Sequence, residues 1–303
     1  MKIAILSNGN ANYSTKRLKE VAEARGHEVK IIKYKNCYVS VSRNDSKVIY
    51  NGEELDLKQF DAMIPRIANS MTKYGTSVVR QLEREGIFTT SSALAITRAR
   101  DKLRATQILA KYVDVPKTIF SRNSTDIDAM LEELGGAPIV IKLAQSTHGN
   151  GVVLADTKKA AKSALQAFYL YNEDGTNVMI QEFIKESMGT DIRAFVVGGR
   201  VVASMERKSL DDFRSNLHKG GVGSPVKLTP EERKAAVKAA RAMNLGIAGV
   251  DIMRSERGPL VLEVNASPGF GIEQATGRDV ATPIIEYVER NAKHGQKKDK
   301  IGA

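Results

Sequence analysis

The chain has no tryptophan, one cysteine and eight prolines in 303 residues, and only 6% of it is aromatic. Each shortage excludes something. A lone thiol, Cys37, rules out an internal disulfide framework and fits a reducing cytosol, so a cytoplasmic location is expected. With no Trp and few aromatics, a stacking platform for single-stranded nucleic acid is not suggested. The longest apolar runs, such as Ala137 to Leu143, are far too short to span a bilayer, so no membrane partner is expected. Met1 to Leu6 turns polar at Ser7 and reads as a first strand rather than a signal peptide. The histidines His27, His148, His218 and His294 show no metal-ligand spacing, which argues against zinc. The loop Ser7 to Ser14 holds only Gly9, so the Gly-x-Gly-x-x-Gly fingerprint of NAD or FAD binding is missing. No Walker loop, Gly-x-Ser-x-Gly elbow or His-Glu-x-x-His helix occurs.

What is abundant is positive charge. The net charge is +11, of which residues 293–303 contribute +3 through Lys293, Lys297, Lys298 and Lys300 against Asp299, leaving +8 for the body. Such a surface favours phosphates, nucleic acid or acidic peptides, and it also serves plain solubility. Charge alone does not choose between an acidic protein and RNA. Apolar content of 42% and charged content of 27% are those of a globular protein long enough for two or three domains.

Strands over Lys2 to Ser7, Val29 to Tyr34 and Asp61 to Pro65 alternate with helices over Thr15 to Arg25 and Gly75 to Glu85. These make an N-terminal α/β domain. Thr97 to Tyr112 reads as one basic helix carrying Arg98, Arg100, Lys102 and Arg104, ended by Val115-Pro116. Later strands are expected at Pro138 to Leu143 and Val178 to Ile184, with a hairpin around Gly198-Gly199. Helices are expected over Glu231 to Met243 and Val280 to Asn291, and the tail from Lys293 as disordered.

The most informative stretch is Gly249 to Met253 and Leu260 to Asn265, two strands joined by the turn Arg254 to Pro259. Alternation places Leu260, Leu262 and Val264 on an apolar face and sets Glu263 beside Asn265 on the other. Asp251 lies within reach on the partner strand. Three oxygen ligands without Cys or His suit a hard cation, Mg²⁺ or Mn²⁺, whose shell nucleotide phosphates complete. The competing reading, ordinary solvated acids, sits poorly with two acids in apolar strands. Lys142, in the otherwise apolar strand Ile139 to Leu143, either snorkels or meets an anion, and the core strand favours the anion. Gly149 and Gly151 follow it and let the backbone approach phosphate oxygens. Glu182 and Phe183 offer backbone groups to an adenine edge and Asp191 an acceptor to ribose, although a strand ending at an acidic turn explains them equally well. Arg214, Ser215 and Asn216 bring a guanidinium and an amide into a Gly-rich loop, where Arg214 suits a phosphate or acyl phosphate.

In this order the residues resemble those of ATP-grasp ligases, and within them the RimK-like ribosomal-protein glutamate ligases. The match is carried by Ile64-Pro-Arg-Ile67, Arg98-Ala-Arg-Asp-Lys-Leu-Arg104, Gly136-Ala-Pro-Ile-Val-Ile-Lys142, Gln181-Glu-Phe-Ile-Lys-Glu186 and Asp191-Ile-Arg193. It continues through Asp212-Phe-Arg-Ser-Asn-Leu-His218, Ala248-Gly-Val-Asp251 and Glu263-Val-Asn-Ala-Ser-Pro-Gly269. The resemblance implies an α/β (α+β) ATP-grasp fold: an N-terminal α/β pre-ATP-grasp domain over 1–95, a small central lid domain over 96–184, and a C-terminal α+β domain over 185–292 before the basic tail 293–303.

It also implies roles. Lys102 and Lys142 hold ATP phosphates, with Gly149 and Gly151 in the lid over them; Glu182 and Phe183 meet adenine and Asp191 ribose. Arg214, Ser215 and Asn216 line the phosphate-transfer site, with Arg214 and Asn216 catalytic. Asp251, Glu263 and Asn265 bind two Mg²⁺ or Mn²⁺ ions. Two segments depart from the family pattern, Ser146 to Gly151 and the loop after Pro268, and both adjoin the site. The implied reaction joins L-glutamate, through an acyl phosphate, to the C-terminal carboxylate of a small-subunit ribosomal protein or to oligo-glutamate. Arg66 and Tyr74 are candidates for the acceptor groove, nucleic acid enters only through the ribosome, and family members suggest a homo-tetramer. A sister ligase acting on another carrier protein or small cofactor, or a non-catalytic ATP-binding regulator, shares the same motifs.

Overall fold

A computed structural model describes residues 1–9, 12–43, 45–122, 126–143, 151–170, 177–209 and 221–294. The chain opens with β1 (Lys2–Ser7), α1 (Tyr13–Ala24) and β2 (Glu28–Lys33). β3 (Cys37–Ser40), β4 (Lys47–Tyr50) and β5 (Glu53–Glu54) form a small antiparallel sheet. Strands this short show no legible period, so nothing in the sequence announces them. β6 (Ala62–Pro65), α2 (Thr72–Arg84) and β7 (Phe88–Thr89) follow. The main N-terminal sheet is parallel, in the order β2-β1-β6-β7. Ile3 to Leu6 are fully buried, as both faces of a parallel sheet are covered.

The expected single helix over Thr97 to Tyr112 is two helices, α3 (Ala93–Arg100) and α4 (Lys102–Leu109). Asp101 breaks it. Its backbone is extended, and its side chain accepts from the Arg104 N–H at 3.0 Å, capping a new helix instead of continuing the old one. Lys102 thereby becomes the first residue of α4.

The next unit holds β8 (Thr118–Ser121), α5 (Ile127–Glu133), β9 (Ile139–Leu143), β10 (Val152–Ala155), α6 (Lys158–Leu170) and β11 (Val178–Glu182). Its antiparallel sheet runs β10-β9-β11-β8 and closes over its own cluster of Leu131, Ile139, Ile141, Leu165 and Ile180. α3 and α4 pack elsewhere, in the larger core.

The last unit contains β12 (Thr190–Val197), β13 (Arg200–Lys208), β14 (Val222–Pro225), α7 (Pro230–Ala242), β15 (Ile247–Ser255), β16 (Gly258–Asn265), α8 (Gly271–Thr276) and α9 (Ala281–Asn291). Its antiparallel sheet runs β14-β13-β12-β15-β16. α7 starts at a capping box between Thr229 and Glu232, with Pro230 in the first turn. The β15–β16 strands continue to Ser255 and resume at Gly258, a tighter turn than Arg254 to Pro259. The N-terminal and C-terminal sheets share buried clusters: Leu6, Ile67 and Val79 join Ile192, Val250 and Val264, while Ile3 and Ile64 join Phe195 and Ile284. Among the described residues no helix is long and apolar enough to cross a membrane.

Polar contacts reinforce that union at the surface. Arg25 donates to both carboxylate oxygens of Glu289 on α9, at 2.8 and 2.7 Å, and His27 Nε2 lies 2.8 Å from the same group. The hydrogen bonds from Arg25 hold the Glu289 carboxyl down to about 2. Its stabilisation is present above the unfolded value of about 4.3 and disappears as pH falls through the folded one. Glu289→Gln should therefore lower stability at pH 7 by at most about 1 kcal/mol. Urea denaturation of both proteins should show the gap closing between pH 4 and 2.

Candidate active site

The site grows from the β15–β16 hairpin. Counting back from the turn, Asp251 would face Leu262. A bulge between Asp251 and Ile252 inserts one residue and brings Glu263 opposite Asp251. It also moves Val261, not Leu262, onto the apolar face beside Val264, correcting the simple alternation. Glu263 Oε1 accepts from Asn265 Nδ2 at 3.1 Å, which leaves the Asn265 carbonyl oxygen available. Gly249 lies opposite Asn265, and a Cβ there would come within 2.9 Å of Pro268 Cβ, so the glycine lets the strand and the following loop close together.

A second bulge, between Phe195 and Val196, acts the same way on the neighbouring hairpin. Without it Asp191 would face Glu206; with it Asp191 faces Arg207. Arg207 bonds both Asp191 oxygens and also reaches Asp251 Oδ2 at 2.9 Å. Arg193, opposite Asp251 across β12–β15, grips it with two bonds of 2.7 and 2.6 Å. Asp191, Arg207 and Asp251 are all buried. Burial opposes ionisation of Asp251, but Arg193 and Arg207 overcome it and hold its carboxyl far below the usual range. Burial likewise works against the Arg207 cation, and Asp251 with Asp191 raises its pKa in spite of that. Asp191, expected at a ribose, has both oxygens bonded by Arg207, as Asp251 has both bonded by Arg193.

Glu263 differs. Its side chain reaches solvent, yet protein surrounds it on the remaining sides, so it lines a cleft. Desolvation there, with Asp251 adjacent, pushes its carboxyl up. Cations converge on the same cleft. Lys142 donates to Gln181 Oε1 at 2.7 Å, and burial pulls it down to about 8 despite the attraction of Glu263. Lys102 at the start of α4 is lowered by burial and drawn by Glu263 as well. Arg100 is brought down to about 10 by burial, again with Glu263 as its favourable neighbour. Desolvation thus pushes a carboxylate up and neighbouring cations down, a combination that marks candidate functional sites. Among the described residues no three His, Cys, Asp or Glu side chains are grouped so as to hold a metal ion; the expected set takes its third oxygen from Asn265. Carboxylate and amide oxygens suit Mg²⁺ or Mn²⁺.

Gly151 has φ +64°, and a Cβ on it would meet Leu143 Cδ1 at 2.8 Å, so both conformation and space require glycine. Glu182 ends β11; its N–H bonds the Lys117 carbonyl at 3.0 Å and its side chain accepts from Arg257 at 2.6 Å. Phe183 follows at the bend, half-buried. Gly149, Arg214, Ser215 and Asn216 lie outside the described residues. Tyr74 donates to the Cys37 carbonyl on the small sheet. Arg193 and Arg207 were not among the expected site residues; regular β12–β15 pairing places Arg193 and a bulge in β12–β13 places Arg207, and neither pairing is announced by a residue pattern.

Family models match nearly the whole chain, a RimK PreATP-grasp domain over residues 1–96 and a RimK-like ATP-grasp domain over 99–288. This chain belongs to the RimK-like ATP-grasp family. It is an ATP-dependent ligase. A probable alpha-L-glutamate ligase of Picosynechococcus sp. is 53% identical over 304 residues, covering 99% of each chain. One of Hydrogenovibrio crunogenus is 53% identical over 97% of each. Among solved structures, the ATP-grasp ligase PsnB complexed with minimal precursor, Mg and ADP superposes with a TM-score of 0.73 at 18% identity, covering 96% of this chain and 98% of that one. A RimK domain protein ATP-grasp from Sphaerobacter thermophilus gives 0.70 at 20% identity, over 95% and 99%. At these identities the likeness is one of fold.

Arg207→Met should leave two buried carboxylates with one guanidinium and lower stability by about 3–5 kcal/mol, read from denaturant midpoints. ADP affinity, measured calorimetrically without metal, should weaken as pH rises through about 8, where Lys142 loses its proton. Lys142→Arg should flatten that dependence.

Proposed function

We propose that this ligase joins L-glutamate to the C-terminal carboxylate of a small-subunit ribosomal protein, or of an oligo-glutamate chain grown on it. The observation that carries the reading is the gathering of three half-buried cations, Arg100, Lys102 and Lys142, near Glu263, a charge pattern suited to polyphosphate and carboxylates together. Relatives named as probable alpha-L-glutamate ligases, at 53% identity over almost the full length, support the choice of amino acid. The basic body supports an increasingly acidic product.

In this reading the acceptor carboxylate attacks the γ-phosphorus of ATP, ADP leaves, and an acyl phosphate forms. The glutamate α-amine then attacks the acyl carbon, phosphate departs, and the amine gives up its proton as the amide forms. No enzyme nucleophile takes part. Lys102 and Lys142 hold the phosphates, Gly149 and Gly151 cover them, and the Glu182 carbonyl and Phe183 N–H frame adenine. Arg214, Ser215 and Asn216 attend the transferring group, with Arg214 and Asn216 catalytic. Asp191 braces Arg207. Asp251, Glu263 and Asn265 hold two divalent ions, Mg²⁺ or Mn²⁺, which when bound neutralise charge on the phosphates. The unit of β8 to β11, with its separate core, closes over the nucleotide and keeps water from the acyl phosphate.

Intact-mass analysis after incubation with ATP, Mg²⁺, L-glutamate and the ribosomal protein should show added glutamate residues. Free oligo-glutamate alone would move the acceptor, turnover only with another amino acid would move the substrate, and no ADP at all would sink the reading. Glu263→Gln should retain the melting temperature and lose ADP formation by at least about a hundredfold; near-normal turnover would refute the metal assignment.

A further inference from the structure

We propose that Arg66 and Arg100 form a carboxylate-binding subsite at the carboxyl end of the N-terminal sheet, which takes a glutamate carboxylate of a substrate during ligation. The assignment rests on the ligase reading above and names residues for its carboxylate recognition.

Topology locates the subsite. β1 and β6 are neighbours at the centre of the parallel sheet. The chain leaves β1 through α1 towards β2 and leaves β6 through α2 towards β7, on opposite sides. In an open α/β sheet, such a switch in direction opens a crevice outside the carboxyl ends of the two strands. Arg66 follows Pro65, the last residue of β6, and its N–H bonds the carbonyl of Leu6 near the end of β1 at 2.8 Å.

The chemistry fits a carboxylate. Arg66 Nη2 donates to the Pro268 carbonyl at 2.7 Å and to Ser14 Oγ at 3.1 Å, and the guanidinium lies 5.2 Å from the Phe270 ring centroid. Arg100 Nη2 donates to the Ile67 carbonyl at 2.9 Å, while its buried Nε has no hydrogen-bond partner. Neither guanidinium makes an ion pair among the described residues. Burial lowers both to about 10, and Arg100 further disfavours the Arg66 cation by repulsion. Two like charges near one another disfavour each other; Glu263 offsets part of this for Arg100, and a further carboxylate would offset it for Arg66. A planar guanidinium matches a carboxylate in two-pronged geometry.

Position separates this pair from the phosphate lysines. Glu263 attracts Arg100, Lys102 and Lys142, whereas Arg66 feels only Arg100. Arg66 is anchored at the crevice itself, by its N–H on the Leu6 carbonyl and its side chain on Ser14 and Pro268. Its bond to Pro268 ties the crevice to the loop that follows Asn265, so a substrate held there borders the phosphate end of the cleft.

The carboxylate belongs either to free L-glutamate or to the acceptor tail, and kinetics distinguish them. Arg66→Met, Arg66→Lys and Arg100→Gln would be assayed for KM towards L-glutamate and towards an oligo-glutamate peptide. ADP–Mg²⁺ affinity and melting temperature would be recorded in parallel. The expected result is a rise of tenfold or more in one of the two KM values, with ADP affinity of the two Arg66 variants within twofold of the unsubstituted protein. A rise for L-glutamate assigns the incoming amino acid, and a rise for the peptide assigns the acceptor. Arg66→Lys keeps a cation on Pro268 but loses the fork, so it preserves the test if the Met variant fails to fold. Unchanged KM values for both substrates, or ADP affinity falling in step with KM, would overturn the proposal. Absence of ADP binding and turnover in the unsubstituted protein would overturn the ligase reading itself.

Discussion

The carboxylate of Asp251 is the point on which the site depends. It is buried, it lies opposite Glu263, and it survives as an anion only because Arg193 and Arg207 approach it from the neighbouring strands. Asp191 in turn holds Arg207. Desolvating any one of these groups alone would cost several kcal/mol, so the four hold together or not at all. The brace spans β13, β12 and β15, the three inner strands of the C-terminal sheet. Preorganisation of this kind keeps ligands in place before substrate arrives.

Beyond the brace, the balance of charge reverses. Asp251 is compensated by two arginines, whereas Lys142, Lys102 and Arg100, all half-buried, draw on the single carboxylate of Glu263 and Arg66 is repelled by Arg100. Burial weakens each of these cations and strengthens whatever anion meets them. Such a cleft is costly when empty and well matched to a nucleotide and carboxylate substrates. The cost is borne by a large core shared between the N-terminal and C-terminal sheets, which holds the arginines of one against the carboxylates of the other. The unit carrying Lys142 has a core of its own, separate from the core beneath the brace.

Much of this was legible in the residues. The parallel N-terminal sheet follows from short apolar runs alternating with amphipathic helices, and the pairing of Glu263 with Asn265 follows from strand periodicity alone. The lysine in an apolar strand raised the expectation of an anion; in the structure its ammonium bonds the Gln181 side-chain oxygen and lies near Glu263. The split of the basic helix was less visible, because Asp101 is an ordinary helix-surface residue in composition and a cap only in conformation. The small sheet of β3 to β5 was invisible, since its strands are too short for a period to register.

The sequence by itself determined the type of chemistry: oxygen ligands without thiol or imidazole, phosphate-seeking lysines, and an α/β frame in the order that resembles ATP-grasp ligases. Tertiary structure alone decided which charges meet. Two single-residue bulges turn Glu263 towards Asp251 and Arg207 towards Asp191, where regular pairing would have offered Leu262 and Glu206. A bulge depends on how strands twist and pack against their neighbours, not on the residue it displaces. The meeting of Arg66 with Pro268, 202 positions apart, depends on the shared core in the same way. Local pattern sets what each residue can do, and packing sets what it does it to.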